Sequence, residues 1–122
     1  MAKMVRIENE GKAFTFYCTS RNTRHGFAHD CTLFIDGYER EEASCYYFNR
    51  TWECWQYQTV CIDCINKLIN NRRESLKEEY KYNNGIKRMT RQKNDIFHDI
   101  WQNDEIIKMY SKVYYALSNN QY

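Results

Sequence analysis

Two cysteines three residues apart, Cys61 and Cys64, are the residues in this 122-residue chain whose spacing best suits chemistry. They stand as Cys61-Ile62-Asp63-Cys64, inside a stretch whose apolar spacing predicts a helix. Residues three apart on a helix share one face, so both sulfurs can reach a single ligand or partner side chain. Zinc takes four soft or borderline ligands in a tetrahedron, and the chain has six cysteines. A structural zinc site is therefore the functional interpretation of the pair.

The other two zinc ligands have to come from elsewhere in the chain. The candidates are Cys18, His25, His29, Cys31, Cys45 and Cys54. If the helix runs antiparallel to the strand before it, helical rise brings Cys61 and Cys64 closest to Cys31 and Cys45. A two-residue hairpin turn would put Cys31 and Cys45 on opposite sheet faces, whereas a longer turn or a bulge around Tyr38–Glu41 would return them to one face. The register stays open, and the predicted ligand set is Cys61, Cys64, Cys31 and Cys45.

Two other interpretations of Cys61 and Cys64 also stay open. Cysteine is among the most buried residue types and packs as a small hydrophobe, and both residues lie on the apolar stripe of their helix. A redox pair normally sits at a helix N-terminus, which lowers the thiol pKa, whereas this pair lies about ten residues inside the helix. The sequence pairs no histidine convincingly with a nucleophile, so we predict that the chain is not an enzyme.

The elements that must position these residues begin with strands. From Val5 to about Arg50 apolar and polar residues alternate as they do in strands. The alternating runs are residues 14–18, 27–35 and about 43–48. Asp36-Gly37 is a strong hairpin signal, Ser20–Gly26 is predicted to be the loop of the first hairpin, and Val5–Glu8 extends the sheet at an edge. The prediction is an antiparallel sheet of three to four strands.

The period changes to three and four residues near Thr51, which predicts helices for the rest of the chain. The first helix is predicted from about residue 51 to 82, with Thr51 as its N-cap and Asn83-Asn84-Gly85 as its stop. A second helical region follows from about Ile86 to Leu117, with a break at Asn103-Asp104 and Asp104 as a new N-cap. A helix of about thirty residues spans about 45 Å, so its far half is expected to extend beyond the sheet.

The predicted fold class is therefore α+β. A three- to four-stranded antiparallel sheet is packed by a long helix, and a helical return completes a helical hairpin. At this length one domain is expected, residues 1–122, with the sheet in about 5–50 and the helical hairpin in about 51–118.

Positive charge is concentrated at the tip of this helical hairpin. Residues 67–93 carry nine lysines and arginines against three glutamates, while the whole chain has a net charge of +2. Such a tip permits phosphate contacts but lacks the interleaved aromatic residues of a base-stacking surface, so direct nucleic-acid binding is only the alternative prediction. No stretch is apolar enough to span a membrane and no signal core follows Met1. We expect a cytoplasmic protein with reduced thiols.

Two segments carry a resemblance to known proteins. They are Asn22-Thr23-Arg24-His25-Gly26-Phe27-Ala28-His29, and Asn49-Arg50-Thr51-Trp52-Glu53 followed by Tyr57-Gln58-Thr59-Val60. Over residues 14–61 the chain resembles small accessory proteins of phages and mobile elements of Gram-positive bacteria. Its size and cysteine content look most like a streptococcal phage anti-CRISPR metalloprotein, of the kind that blocks the type II RNA-guided effector nuclease.

The resemblance implies a stoichiometric inhibitor that acts in the host bacterial cytoplasm by binding and not by chemistry. Many inhibitors of that nuclease are acidic DNA mimics, whereas this chain is slightly basic, so docking on a recognition-lobe surface is expected instead of the DNA channel. The basic tip would steer the chain toward an acidic patch of the target. The residues expected to dock are Arg72, Arg73, Lys77, Arg88 and Arg91. The alternative is a small phage DNA-binding or regulatory module that uses the same tip.

Overall fold

The computed structural model describes residues 2–49, 57–85 and 91–120, with an antiparallel sheet followed by three helices. The strands are β1 (Ala2–Asn9), β2 (Lys12–Thr23), β3 (Gly26–Ile35), β4 (Tyr38–Glu39) and β5 (Cys45–Asn49). The helices are α1 (Tyr57–Asn84), α2 (Arg91–Asn103) and α3 (Glu105–Ser118). The predicted α+β class, with a long helix and a helical return, is confirmed.

The sheet is four strands wide, because two short strands share one edge. β1, β2 and β3 are neighbours in that order, and both β4 and β5 pair with the other side of β3. β4 pairs with Phe34 and Ile35, whereas β5 pairs with residues 27–31. The predicted width and the predicted edge strand near Val5 are both confirmed.

The turn between β3 and β4 follows the sequence signal. Ile35 pairs directly with Tyr38 across Asp36 and Gly37. The φ angles of Asp36 and Gly37 are 51° and 84°, and positive φ at both central residues is what a type I′ turn requires. The Asp36 side chain also accepts a hydrogen bond of 2.8 Å from the amide of Ala13, which fixes the turn against β2.

The predicted loop of the first hairpin, Ser20–Gly26, is wrong in its extent. β2 continues to Thr23, which pairs directly with Gly26, so only two residues form the turn. The Thr23 hydroxyl accepts a hydrogen bond from the amide of His25 and donates one to the Gly26 carbonyl oxygen. These bonds stabilise a tight turn within a polar segment that composition alone assigns to a loop.

Helices α1 and α3 cover one face of the sheet. The buried residues that α1 contributes are Val60, Cys61, Cys64, Ile65, Leu68 and Ile69. From α3, Tyr110 packs edge-on against Phe14 of β2 with the ring centroids 6.2 Å apart. Beyond Ile69, α1 packs with α2, where the rings of Tyr80 and Phe97 meet at 5.4 Å. The core therefore lies between the sheet, the first half of α1 and helix α3.

The helix ends fall where the sequence signals place them. α1 ends at Asn84, and Gly85 follows with a φ of 63°, the left-handed conformation that stops a helix. Asp104 separates α2 from α3 and accepts a hydrogen bond from the amide of Ile107, as an N-cap does. The predicted N-cap Thr51 lies outside the described residues. Within the described ranges, no helix has the length and apolar character needed to cross a membrane.

Asp104 also ties α3 to the middle of α1. Its carboxylate accepts two hydrogen bonds from Arg72, one from Nη2 at 2.9 Å and one from Nε at 3.1 Å. The Asp104 side chain is only 12 % exposed. The Arg72 guanidinium, together with the backbone amide of Ile107, holds the pKa of the Asp104 carboxyl below its usual range. One side chain thus caps α3 and pairs with α1.

Replacing Asp104 with alanine should lower the free energy of unfolding by about 2 kcal/mol, because α3 loses its cap and Arg72 loses its partner. Urea unfolding of the two proteins measures the difference. Asp99→Ala, on an exposed position of α2, is the control and should change stability by less than about 0.5 kcal/mol. Equal losses in the two variants would contradict the assigned role of Asp104.

The same pair gives a pH dependence with a definite sign. Since the folded-state pKa of Asp104 is lowered, its contribution is present above the unfolded-state value of about 3.9 and is lost as the pH falls through the folded-state value. The stability gap between wild type and Asp104→Ala should therefore narrow below about pH 4. A gap that keeps its full size in acid would contradict this.

Candidate metal centre

Three cysteines form one row across the sheet. Cys18 of β2 pairs directly with Cys31 of β3, and Cys31 pairs directly with Cys45 of β5. Residues directly opposite each other in antiparallel strands face the same side, with Cα atoms about 4.5 to 5.5 Å apart. All three side chains are buried. The row therefore lies on the sheet face that the helices cover.

A 3-10 turn at Glu41–Ala43 puts Cys45 in this row. If the register of β4 continued along β3, Cys31 would pair with Glu42. The 3-10 turn shifts the pairing by three residues, so that Cys31 pairs with Cys45. A shift by an odd number of residues exchanges the two faces of a strand. The shift comes from Glu41–Ala43, just after the Tyr38–Glu41 segment that the sequence left open, and it brings Cys31 and Cys45 to one face.

Helix α1 brings two further thiols onto the row. Cys61 and Cys64 are fully buried. The sulfur of Cys18 lies 3.5 Å from that of Cys31 and 3.5 Å from that of Cys61, and these three sulfurs are all within 4.8 Å of one another. The Cys64 sulfur lies 3.6 Å from the Cys31 carbonyl oxygen, and its thiol also interacts with the Cys31 thiol. We call Cys18, Cys31, Cys61 and Cys64 the thiol cluster.

Three of the four predicted metal ligands, Cys31, Cys61 and Cys64, belong to the thiol cluster. The fourth, Cys45, lies beside it: its thiol interacts with that of Cys64 and its sulfur is 3.5 Å from the Ala43 carbonyl oxygen. Cys18, a candidate that the predicted set did not include, takes the position next to Cys61. The direct pairing of Cys18 with Cys31 in the β2–β3 hairpin would have identified Cys18 as a ligand. The predicted loop Ser20–Gly26 gave a different register, in which these two cysteines are not paired.

The remaining candidates are placed as follows. His29 is buried two residues before Cys31 on the same face, and its ring stacks on Tyr47 with centroids 6.1 Å apart. Burial lowers the pKa of His29, which favours its neutral form. His25 is exposed in the β2–β3 turn. Cys54 lies outside the described residues.

Hydrogen bonds within the cluster favour ionisation of two of its thiols. Those with Cys31 and Cys61 lower the pKa of Cys18, and those with Cys31 and Cys45 lower the pKa of Cys64. Cys31 is hydrogen-bonded to both of them and its pKa is raised, first by Cys18. The pKa of Cys61 is also raised, first by its hydrogen bond to Cys18. Thiolates are the form in which cysteine binds metals, so Cys18 and Cys64 are the two thiols most ready to bind a cation, and the others would release their protons on binding.

Two lysines flank the cluster at opposite ends. Lys3 of β1 pairs directly with Cys18 and contributes to lowering its pKa. Lys67, one turn after Cys64 on α1, acts on Cys64 in the same direction and donates a 2.6 Å hydrogen bond to the Ser44 carbonyl oxygen. Four buried thiols between two ammonium groups can bind a soft divalent metal ion.

The residues predicted to contact a partner lie in different environments. Arg72 is engaged with Asp104, and the Lys77 ammonium lies 4.0 Å from the Glu74 carboxylate. Arg73 is exposed, with its guanidinium 5.6 Å from the ring centroid of Trp101. Arg88 and the side chain of Arg91 lie outside the described residues.

Comparison with known proteins identifies no relative of this chain. No protein-family model, no curated protein and no solved structure matches it. The interpretation of the thiol cluster therefore depends on its own geometry, and the resemblance carried by residues 22–29 and 49–60 stays a prediction.

Mild oxidation tests the sulfur positions independently of any metal. If chelator and diamide are added together under native conditions, Cys18 should form a disulfide with Cys31 or Cys61, two thiols losing their hydrogens as diamide is reduced to its hydrazine. Directly opposed cysteines have the Cα separation that a disulfide needs. Peptide mapping by mass spectrometry identifies the bond. Cys18→Ala should abolish this product, and a Cys18 that stays reduced while the other cysteines oxidise would contradict the geometry.

Proposed function

We propose that the chain is a zinc-stabilised binding protein whose thiol cluster holds one structural zinc ion. The observation that carries this proposal is the spacing of the sulfurs. A tetrahedral zinc with Zn–S bonds of about 2.3 Å keeps its sulfurs about 3.8 Å apart. The sulfur of Cys18 lies 3.5 Å from those of Cys31 and Cys61, so these three thiols are spaced to occupy three corners of the tetrahedron, with Cys64 beside them as the fourth ligand.

Burial and charge support a structural ion over a catalytic one. Four thiolates close the coordination shell, whereas catalytic zinc keeps a position for water. Zinc held by four thiolates carries a net charge of −2, and the ammonium groups of Lys3 and Lys67 are placed to offset it. Thiolates also suit Cu(I) and iron–sulfur clusters, so the metal has to be identified by measurement.

Protein purified without chelator should contain about one zinc per chain, and Cys31→Ser or Cys61→Ser should remove it. Elemental analysis gives the metal content. At free zinc about 1,000 times the Kd, binding adds about 4 kcal/mol to the free energy of unfolding, so chelation should lower the Tm clearly.

Two matched variants decide the fourth ligand. Cys18→Ser should lose zinc and Cys45→Ser should retain it if Cys18 completes the tetrahedron; the reverse result would favour Cys45. Less than about 0.2 metal per chain in the wild type, together with normal folding of Cys61→Ser, would return these thiols to ordinary core packing.

As its biological role we propose stoichiometric inhibition of the type II CRISPR effector nuclease by binding. The resemblance of residues 22–29 and 49–60 to phage accessory proteins supports the choice of target. The uncovered sheet face supports a binding role, because Met4, Tyr17 and Tyr46 are exposed on it and exposed aromatic residues often anchor interfaces. Docking would be on the recognition lobe, steered by the basic tip.

The structure distinguishes between the predicted docking residues of the tip that it describes. Arg72 is the bidentate partner of Asp104, so its substitution would disturb the fold as well as any interface. Arg73 is exposed and only overlies Trp101, a contact worth about 0.5 to 1 kcal/mol. Arg73 is therefore the sharper probe of docking.

Titration of the chain into a cleavage reaction of the guide-loaded nuclease should stop cleavage near one equivalent. Arg73→Glu combined with Arg88→Glu should weaken the complex about tenfold and make the remaining binding less dependent on salt. The control, Lys12→Glu with Arg24→Glu, makes the same charge change at exposed sheet turns and should leave inhibition intact.

Equal effects of the two double variants would show that the tip is not part of the interface. The uncovered sheet face would then be the surface to test. Absence of a complex with the nuclease, combined with duplex DNA binding that falls steeply with salt, would favour the alternative of a phage DNA-binding module.

A further inference from the structure

Cys45 is the most accessible of the five described cysteines. It is 8 % exposed, whereas Cys31 is 1 % exposed and the other three are fully buried. Its thiol interacts with that of Cys64, which in turn interacts with that of Cys31. Cys45 therefore connects the buried cluster to the surface.

A recess of about 600 Å³ opens beside Cys45. It forms at the edge of β3 where the neighbouring strand changes. β5 pairs with β3 as far as Cys31, and β4 pairs with β3 from Phe34 onward. Six of the residues that line the recess are Asp30, Cys31, Thr32, Ser44, Cys45 and Lys67. A chelated metal ion can therefore approach the Cys45 thiol from solvent without unfolding the sheet–helix contact.

A closed four-thiolate site needs a route by which its ion is exchanged. A saturated zinc exchanges ligands through a five-coordinate arrangement, for which an additional donor has to be close. In the described part of the chain, Cys45 lies both beside the cluster and on the recess. Cys31 of the cluster also lines the recess but is only 1 % exposed, so the more accessible Cys45 is the thiol that an incoming ion would meet first.

We propose that Cys45 is the exchange ligand of the metal centre, taking zinc from a small chelator or thiol in the recess and passing it to the thiol cluster. This proposal rests on the proposed zinc site. During uptake Cys45 loses its proton to solvent and forms a Zn–S bond as one donor atom of the chelator leaves. The thiolates of Cys64 and Cys31 then displace the remaining chelator donors.

Transfer is complete when Cys61 and Cys18 bind and Cys45 leaves the ion. The four cluster thiols release four protons in total, while Cys45 regains its own proton and returns to its contact with the Ala43 carbonyl oxygen. No electrons are transferred. Release follows the same steps in reverse, with Cys45 as the fifth donor.

The test is the rate at which full-length, zinc-loaded protein gives up zinc to an excess of a chromophoric chelator, and the rate at which metal-free protein takes zinc from it. Cys45→Ser should slow both rates about tenfold, while zinc content at equilibrium and the thiolate-to-metal absorption of the Co²⁺ form stay unchanged. Thr32→Trp, which fills the recess and keeps all the cysteines, should also slow both. Ser75→Ala, at an exposed position of α1 that does not line the recess, is the control and should leave both rates unchanged.

Unchanged rates in both Cys45→Ser and Thr32→Trp would overturn the proposal while the zinc site stands. If Cys45→Ser fails to fold, Thr32→Trp alone decides. Loss of zinc from Cys45→Ser would make Cys45 a permanent ligand, which overturns the exchange role but keeps a zinc centre. A wild-type chain that takes up no zinc at all would overturn both proposals and is recognised before any variant is measured.

Discussion

Five thiol groups share the contact between sheet and helix, and the rest of the fold has to satisfy that constraint. Cys18, Cys31 and Cys45 face the same side only while β2, β3 and β5 keep their registers. Cys61 and Cys64 reach them only while α1 crosses the sheet directly above. A one-residue slip in either pairing would turn a thiol to the solvent face. The tight β2–β3 turn and the 3-10 turn at Glu41–Ala43 therefore set the registers that place the three sheet cysteines on one face.

The helical part divides into a half that closes this core and a half that extends it. Buried residues of α1 end at Ile69, and beyond that point α1 packs on α2 through the rings of Tyr80 and Phe97. The Arg72–Asp104 pair lies between the two halves and also caps α3. The Arg72–Asp104 pair thus connects the far half of the helical part, which includes the tip, to the core. The contacts of this second half lie beyond the part of α1 that carries Cys61 and Cys64.

Two groups of positively charged residues lie in separate places in this chain, one beside the thiol cluster and one on the tip. Lys3 and Lys67 lie beside the thiol cluster, where their positive charge lowers the pKa of Cys18 and Cys64 and so favours the thiolates. On the tip, Lys77 and Lys81 lie near glutamates one turn earlier on α1. Such exposed pairs contribute little to stability. Residues 67–93 carry nine lysines and arginines against three glutamates, so most of their positive charge is not balanced by acidic residues of the same segment. The charge excess of the tip is consequently better suited to steering association than to holding the fold together.

The sequence by itself determined the features that local physics controls. The change of period near Thr51, the Asp36-Gly37 turn, the stop at Gly85 and the cap at Asp104 each depend on a few neighbouring residues, and they predicted the fold class and most element ends correctly. They also placed Cys61 and Cys64 on one helix face. Only the tertiary structure placed the sulfur of Cys18 beside those of Cys31 and Cys61, and only it paired Arg72 with Asp104. These outcomes depend on strand register and on where α1 crosses the sheet, and both are set by packing between residues far apart in the chain.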